Sequence, residues 1–151
     1  MPADVEQVAL GPNGLIEGVR PDTAFFDMST NSVAMARKIN AAFADKNLYM
    51  LDSPVNGGPS GAASGKMAIW GGGDEQIFNR HKRVLDAMGD QAAYIGPIGA
   101  GTIAKLVHNC TSAVMGVARA KGLYDGDQGR GRAARAVGGG APGRDRPPAH
   151  L

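Results

Sequence analysis

The sequence is poor in cysteine and aromatic residues, and it has no long apolar run. A single cysteine, Cys110, excludes an internal disulfide and a zinc site built on paired thiolates, and it suits a reducing compartment. Three scattered histidines form no metal-binding cluster, so no metal is expected. No run of about 18 apolar residues and no basic-then-apolar N-terminal pattern is present, which predicts a cytoplasmic protein without a membrane role.

Charge and composition divide the 151 residues near Arg119. Residues 119–151 are rich in Gly, Arg, Ala and Pro, and they carry a basic excess, whereas residues 1–118 have an ordinary balance of charges. The few apolar side chains of the tail cannot offset its chain entropy, so we expect disorder there. Clustered arginines also suggest binding to a polyanion. Without a recognised motif or more aromatic neighbours than Tyr124, no nucleic-acid partner is predicted.

Short apolar runs alternate with amphipathic stretches over residues 23–117. Strands are predicted at Thr23–Met28, Leu48–Val55, Lys66–Trp70 and Ala92–Ile95. Helices are predicted at Val33–Asp45 after a Ser29–Thr30 cap, after the Asp74 cap, and from near Gly101, with a loop at Asn56–Gly65. This alternation is typical of a doubly wound, mostly parallel α/β sheet with helices on its faces.

The loop that follows the second strand contains Asn56, Gly57 and Gly58. Open α/β sheets bind ligands at the carboxyl ends of their strands. The adjacent glycines let backbone N–H groups approach an anion, and Asn56 adds a side-chain donor, so a carboxylate would fit. A tight turn with an incidental pair of glycines explains the same residues equally well, and the residues alone do not decide between them.

The last predicted helix places Lys105 and Asn109 one turn apart on the same face. A lysine in a cleft can donate a proton to a carbonyl oxygen while the amide fixes the lysine or the substrate. Most such lysines instead extend into solvent, and this alternative stays open. His81 and His108 are interpreted as structural histidines.

Two glycine patterns resemble phosphate-binding motifs. The first, Gly99–Ala104, fits G-x-G-x-x-A at the start of a helix, but no acidic partner in a following strand accompanies it, so we interpret it as a helix-start turn. The second, Gly65-Lys66, departs from the P-loop pattern at Ser60 and Met67, and ATP binding is rejected.

Taken in order, several motifs resemble those of the β-hydroxyacid dehydrogenases, the family of 3-hydroxyisobutyrate dehydrogenase-like enzymes. The motifs are Asp27-Met28-Ser29-Thr30, the loop Asp52–Gly65, Gly71-Gly72-Gly73-Asp74, and Gly99-x-Gly101-x3-Lys105-x3-Asn109. The resemblance spans residues 1–117. Its departures include Ser53 and Asn56, where the family usually has Ala and Ser, and Val33, where it usually has Pro.

The resemblance implies a role for each matching residue. Lys105 would be the catalytic residue. The substrate-binding residues would be Asn56, Gly57, Gly58 and Asn109, and the cofactor-binding residues Pro2, Ser29 and Thr30. The reaction implied is hydride exchange between a short 3-hydroxy acid and its semialdehyde with NAD or NADP. The resemblance leaves room for a homo-oligomer.

Family members also have a glycine-rich pyrophosphate turn before the matched region and an all-helical domain after it. We therefore expect residues 1–98 to be a partial Rossmann-like domain, residues 99–118 to begin a long interdomain helix, and residues 119–151 to be a tail. A reading-frame shift after about Ala118 is our hypothesis for the tail's composition. An inactive fragment that self-associates through its open sheet edge is the alternative function.

Overall fold

A computed structural model describes the backbone of residues 2–138 and the side chains of residues 2–124. The chain divides into two units, Met1–Cys110 and Thr111–Leu151, and the sheet belongs to the first. The helices are α1 (Pro2–Leu10), α2 (Leu15–Gly18), α3 (Val33–Ala44), α4 (Gly58–Ser64), α5 (Glu75–Met88) and α6 (Ala100–Gly138). The strands are β1 (Ala24–Asp27), β2 (Tyr49–Asp52), β3 (Val55–Asn56), β4 (Ala68–Gly72) and β5 (Gln91–Gly96).

The predicted α/β class is confirmed, with a sheet in which parallel pairing dominates. Strands β1 and β2 are parallel, with Asp27 opposite Asp52, and β4 and β5 are also parallel. Strand β4 runs antiparallel to β2, which it meets at the single pair Asp52 and Gly72, and antiparallel to β3. The sheet is therefore mixed at its centre, where the sequence predicted mostly parallel neighbours.

Strand β2 is buried on both faces of the sheet. Met50 packs in a cluster with Ala36, Ile39 and Phe43 of α3. The next residue, Leu51, points to the opposite face, where it packs in a cluster with Ile69, Ile77, Phe78 and Leu85. Such a continuous apolar run is typical of a strand covered by helices on both sides. This burial fixes the carboxyl end of β2, where the candidate site begins.

Pro54 interrupts the segment Leu48–Val55, which was predicted to be one strand. Proline has no N–H to donate to a sheet ladder, so pairing stops at Asp52 and resumes as the two-residue strand β3. The predicted loop Asn56–Gly65 likewise contains the short helix α4, because Pro59 favours a first helical turn and the alanines favour its continuation. Helices α1 and α2 had no predicted counterpart.

Helix caps agree with the sequence at α5 and differ at α3. Asp74 caps α5 as predicted, its carboxylate accepting from Ile77 N–H at 3.0 Å. For α3 the cap is Ser32, whose hydroxyl accepts from Met35 N–H, so the prediction of a Ser29–Thr30 cap was wrong. The physical reason is that Asp27 engages Ser29 and Asn31 in a turn that delays the start of the helix.

Helix α6 begins at Ala100, close to the predicted start, and continues to Gly138. Residues 119–138 are thus helical in the structure where the sequence predicted disorder, and residues 139–151 lie outside the described residues. Alanine and arginine, frequent in this segment, have high helix propensity. The side chains of residues 111–124 are exposed. Among the described residues, no helix combines the length and the apolar character needed to cross a membrane.

Candidate active site

Asp52 is the buried carboxylate on which the site is built. Its side chain is 1% exposed and accepts two backbone hydrogen bonds from the start of α6, from Gly99 N–H at 2.7 Å and from Thr102 N–H at 2.6 Å. A carboxylate at a helix N-terminus satisfies unpaired N–H groups and interacts favourably with the helix dipole. Asp52 therefore joins the end of β2 to the start of α6.

Gly101 lets the α6 backbone approach the sheet closely. A side-chain carbon at this position would collide with the carbonyl oxygens of Trp70 and Asp52. The glycine-containing start of α6 is thus explained by packing, as the sequence interpretation of Gly99–Ala104 proposed. The Asp52 carboxylate takes two of the N–H groups at this helix terminus that an anion would otherwise bind.

Lys105 lies one turn further along α6 and is 9% exposed. Its ammonium Nζ lies 3.4 Å from Asn56 Oδ1, a long hydrogen bond between residues 49 positions apart. The structure thus brings Lys105 together with Asn56, which the family resemblance assigned to the same site. The interpretation of Lys105 as a solvent-extended lysine is wrong, because the anchored α6 directs the side chain onto the sheet.

The glycine pair after Asn56 forms a turn that only glycine adopts easily. Gly57 has φ of 130° and Gly58 has φ of 59°, both in the positive region that favours glycine. A side-chain carbon at Gly57 would come within 3.2 Å of the Lys66 carbonyl oxygen, whereas one at Gly58 would meet nothing within 4 Å. The turn therefore packs closely at Gly57 and leaves open space beside Gly58.

The turn after β1 is organised by the other buried aspartate, Asp27. Its carboxylate accepts from Ser29 N–H at 3.0 Å and from the Asn31 side-chain amide at 2.8 Å. These bonds leave the side chains of Ser29 and Thr30 exposed at the carboxyl end of a strand. Ser29 also lines a cleft of about 350 Å³ that runs along β1.

Two predicted site residues are not brought to their partners. Asn109 is exposed and has no hydrogen-bond partner in the described part of the chain. Pro2 begins α1 and is not among the residues that line the cleft along β1. Both roles stay predictions.

Trp70 and His108 lie beside Lys105, and sequence reasoning did not assign them to the site. The Trp70 ring lies with its centroid 5.9 Å from Lys105 Nζ and 5.3 Å from the centroid of the His108 ring. Trp70 is on β4 and its partners are on α6, so no local sequence pattern links them. The i, i+3 spacing of Lys105 and His108 was the one available signal that these two share a helix face.

No three metal-binding side chains lie together among the described residues. His81 makes contacts within the fold. Its Nδ1 lies 3.0 Å from the Ile77 carbonyl oxygen, and its ring contacts Phe26 edge to face. The clearest pKa shift belongs to an exposed pair remote from the site, where hydrogen bonds and charge from Asp22 raise the pKa of Arg80.

The turn after β1 lies at an edge of the sheet where α/β domains commonly bind nucleotides. A fixed turn with two exposed hydroxyl side chains at the carboxyl end of a parallel strand is where open α/β sheets bind such ligands. Such a sheet with helices on its faces defines the class of α/β nucleotide-binding domains.

Comparison with known families makes this assignment specific. The chain belongs to the family of the NAD binding domain of 6-phosphogluconate dehydrogenase, whose sequence model matches residues 1–96. Its cofactor class is therefore NAD or NADP, as the sequence predicted, and the resemblance to 3-hydroxyisobutyrate dehydrogenases is confirmed.

Three relatives illustrate the match. The chain is 37% identical over 119 residues to the NAD-dependent L-serine dehydrogenase of Pseudomonas aeruginosa, covering 79% of this chain and 40% of that protein. It is 38% identical over 115 residues to a probable mitochondrial 3-hydroxyisobutyrate dehydrogenase of Dictyostelium discoideum, covering 76% and 35%.

The third is a solved structure of Mycobacterium tuberculosis 3-hydroxyisobutyrate dehydrogenase with L-serine, with a TM-score of 0.78, 33% identity, and coverage of 84% of this chain and 43% of that one. The chain spans about two fifths of the length of curated relatives that it matches.

Proposed function

We propose that this chain carries the substrate-binding and proton-transfer residues of an NAD(P)-dependent dehydrogenase of short 3-hydroxy acids. The observation that supports this most is the buried Lys105 ammonium, 3.4 Å from the Asn56 side chain at the carboxyl end of the sheet. A buried, helix-mounted ammonium with no charged partner among the described residues suits a reacting oxygen better than it suits a purely structural contact.

The substrate carboxylate is assigned to Asn56, Gly57 and Gly58. The Asn56 Oδ1 accepts from Lys105, which leaves its Nδ2 as a donor for an anion. The open space beside Gly58 gives room for a carboxylate against the backbone. In a 3-hydroxy acid bound here by its carboxylate, the hydroxyl is on the carbon two bonds from the carboxylate carbon. That hydroxyl is assigned to Lys105.

Lys105 is assigned to the substrate oxygen that changes between hydroxyl and carbonyl. During reduction this oxygen gains negative charge, and the ammonium stabilises it and donates a proton; during oxidation the neutral amine accepts that proton. A nicotinamide held near Ser29 and Thr30 would supply or accept the hydride at the adjoining carbon. Asn109, one turn beyond Lys105, is assigned to the substrate as a further amide contact.

The substrate class is supported by the relatives. Their names refer to 3-hydroxyisobutyrate and L-serine, and one solved relative is described with L-serine. Both compounds carry a hydroxyl on the carbon two bonds from a carboxylate carbon, which is the pattern of a 3-hydroxy acid.

The test is a chimera in which residues 1–110 replace the matching segment of the M. tuberculosis relative. With Lys105→Ala, we expect kcat to fall by about 10² to 10⁴, the usual contribution of a proton-transfer residue. Lys105→Arg should restore little, because a guanidinium does not release its proton at working pH. Asn56→Ala should act mainly by raising KM for the hydroxy acid.

The matched control is Lys46→Ala, which removes an exposed lysine just after α3. It should leave kcat and KM unchanged within about twofold, as surface changes usually do. Retention of more than about a tenth of kcat in Lys105→Ala, measured on a chimera that folds and turns over normally, contradicts the assignment.

A further inference from the structure

Trp70 is the single tryptophan of the chain and lies in contact with both polar side chains of the adjoining α6 face. The Lys105 ammonium is 5.9 Å from the centre of its ring. The His108 ring packs on it at a centroid distance of 5.3 Å, with 54° between the ring planes. The Trp70 backbone is itself held by a hydrogen bond from its N–H to the Pro54 carbonyl oxygen at 3.1 Å.

The partners of the Lys105 ammonium are both uncharged. In the part of the chain that the structure describes, Lys105 forms no salt bridge, and its contacts are Asn56 Oδ1 and the Trp70 ring. Burying an ammonium without a counter-charge is costly. The negative face of an aromatic ring compensates part of that cost, and tryptophan does so best among the aromatic side chains.

Packing holds His108 in place. Its Nδ1 is buried and has no hydrogen-bond partner among the described residues. Among the described residues, the ring contact with Trp70 is the one side-chain interaction shown for the His108 ring. By packing on the Trp70 ring, His108 limits its rotation. Lys105, one helical turn before His108 on α6, lies over the same ring.

We propose that Trp70 is a positioning residue that holds the Lys105 ammonium beside Asn56, with His108 as its support. A carboxylate in the same place would pair with the ammonium and compete with the substrate oxygen for its N–H donors. The ring attracts the charge without accepting a conventional hydrogen bond, so those donors stay available. This inference rests on the proposed function of Lys105.

The test uses the 151-residue chain with lysine side chains labelled for NMR. In the unmodified chain, ring current from Trp70 should shift the Lys105 ε-CH₂ protons upfield relative to those of the exposed Lys46. Trp70→Leu should abolish the shift, and Trp70→Phe should keep part of it because a ring is retained. Tyr94→Leu is the matched control, since Tyr94 packs on Phe78 and away from Lys105.

A second readout is the rate at which an amine-directed reagent modifies Lys105 relative to Lys46 in the same molecule, measured by mass spectrometry. Trp70→Leu should raise this ratio by about threefold to tenfold, and Trp70→Phe by less, in line with the strength of a desolvated cation–π contact. Thermal unfolding of each variant establishes that it folds. An unchanged ratio in folded Trp70→Leu overturns the proposal.

The unmodified chain decides the matter even when Trp70→Leu does not fold. Absence of the upfield shift on Lys105 in the unmodified chain means that the ring does not hold the ammonium, which overturns the inference. Failure of the proposed function would give a different result. The Lys105→Ala chimera would then turn over normally, while the ring-current shift on Lys105 persisted in the unmodified chain.

Discussion

The neighbouring strands β1 and β2 each end in an aspartate, and the two carboxylates form hydrogen bonds of different range. Asp27 of β1 and Asp52 of β2 lie opposite each other in parallel register, and both are buried. The Asp27 carboxylate bonds to Ser29 and Asn31, two and four residues away. The Asp52 carboxylate bonds to Gly99 and Thr102, which follow it by 47 and 50 residues.

The difference shows that one side chain at one register position can organise either its own turn or a distant helix. Asp27 shapes a turn that leaves the side chains of Ser29 and Thr30 exposed. Asp52 fixes the helix that carries Lys105. The Asp27 bonds are local, and water can replace the part-buried bond to Ser29. The Asp52 bonds close a long loop and are buried. The two aspartates are therefore expected to differ in how much stability they contribute.

The largest effect is expected for Asp52→Ala. It leaves the N–H groups of Gly99 and Thr102 buried without partners, and each such group costs about 1–3 kcal/mol. We expect the free energy of unfolding to fall by about 2–4 kcal/mol, as measured by urea denaturation. The exposed Asp45, at the end of α3, provides the control, and Asp45→Ala should change little. A loss of less than about 1 kcal/mol in Asp52→Ala would remove the distinction between the two aspartates.

A smaller effect is expected for Asp27→Ala. Asn31 loses a buried partner, but the Ser29 N–H is only part-buried and can bond to water. We expect a loss of about 1–2 kcal/mol, and faster amide exchange confined to residues 28–32. Should exchange also accelerate at the start of α6, Asp27 would have a long-range role that its local bonds do not indicate.

The smallest effect is expected from removing residues 119–151. Asp52 of β2 holds the first turn of α6, and the side chains of residues 111–124 are exposed. Deletion should therefore change the free energy of unfolding by less than about 0.5 kcal/mol. In the undeleted chain we expect faster amide exchange across residues 119–124 than at residues 102–105, because exposed side chains add little tertiary stabilisation to a helix. Equal protection of the two segments would contradict this expectation.

Much of the framework was predictable because it depends on local chemistry. The β1, α3, β4, α5 and β5 elements follow from apolar periodicity, and the α5 cap follows from the position of Asp74. The short elements β3 and α4 were missed, since two paired residues or two helical turns leave too little periodicity to recognise. The α3 cap was misplaced because Asp27 takes Ser29 into its own turn.

The candidate site likewise depends partly on local chemistry and partly on tertiary contacts. The residue types and spacings identified Lys105, Asn56 and the glycine turn as candidates, because an amine, an amide and positive-φ glycines have recognisable chemistry wherever they occur. That Lys105 is buried against Asn56, that Asp52 holds its helix, and that Trp70 faces its ammonium were decided only by the folded chain. These contacts join residues tens of positions apart, and no local pattern encodes them; they arise when β2, β4 and α6 pack around one sheet edge.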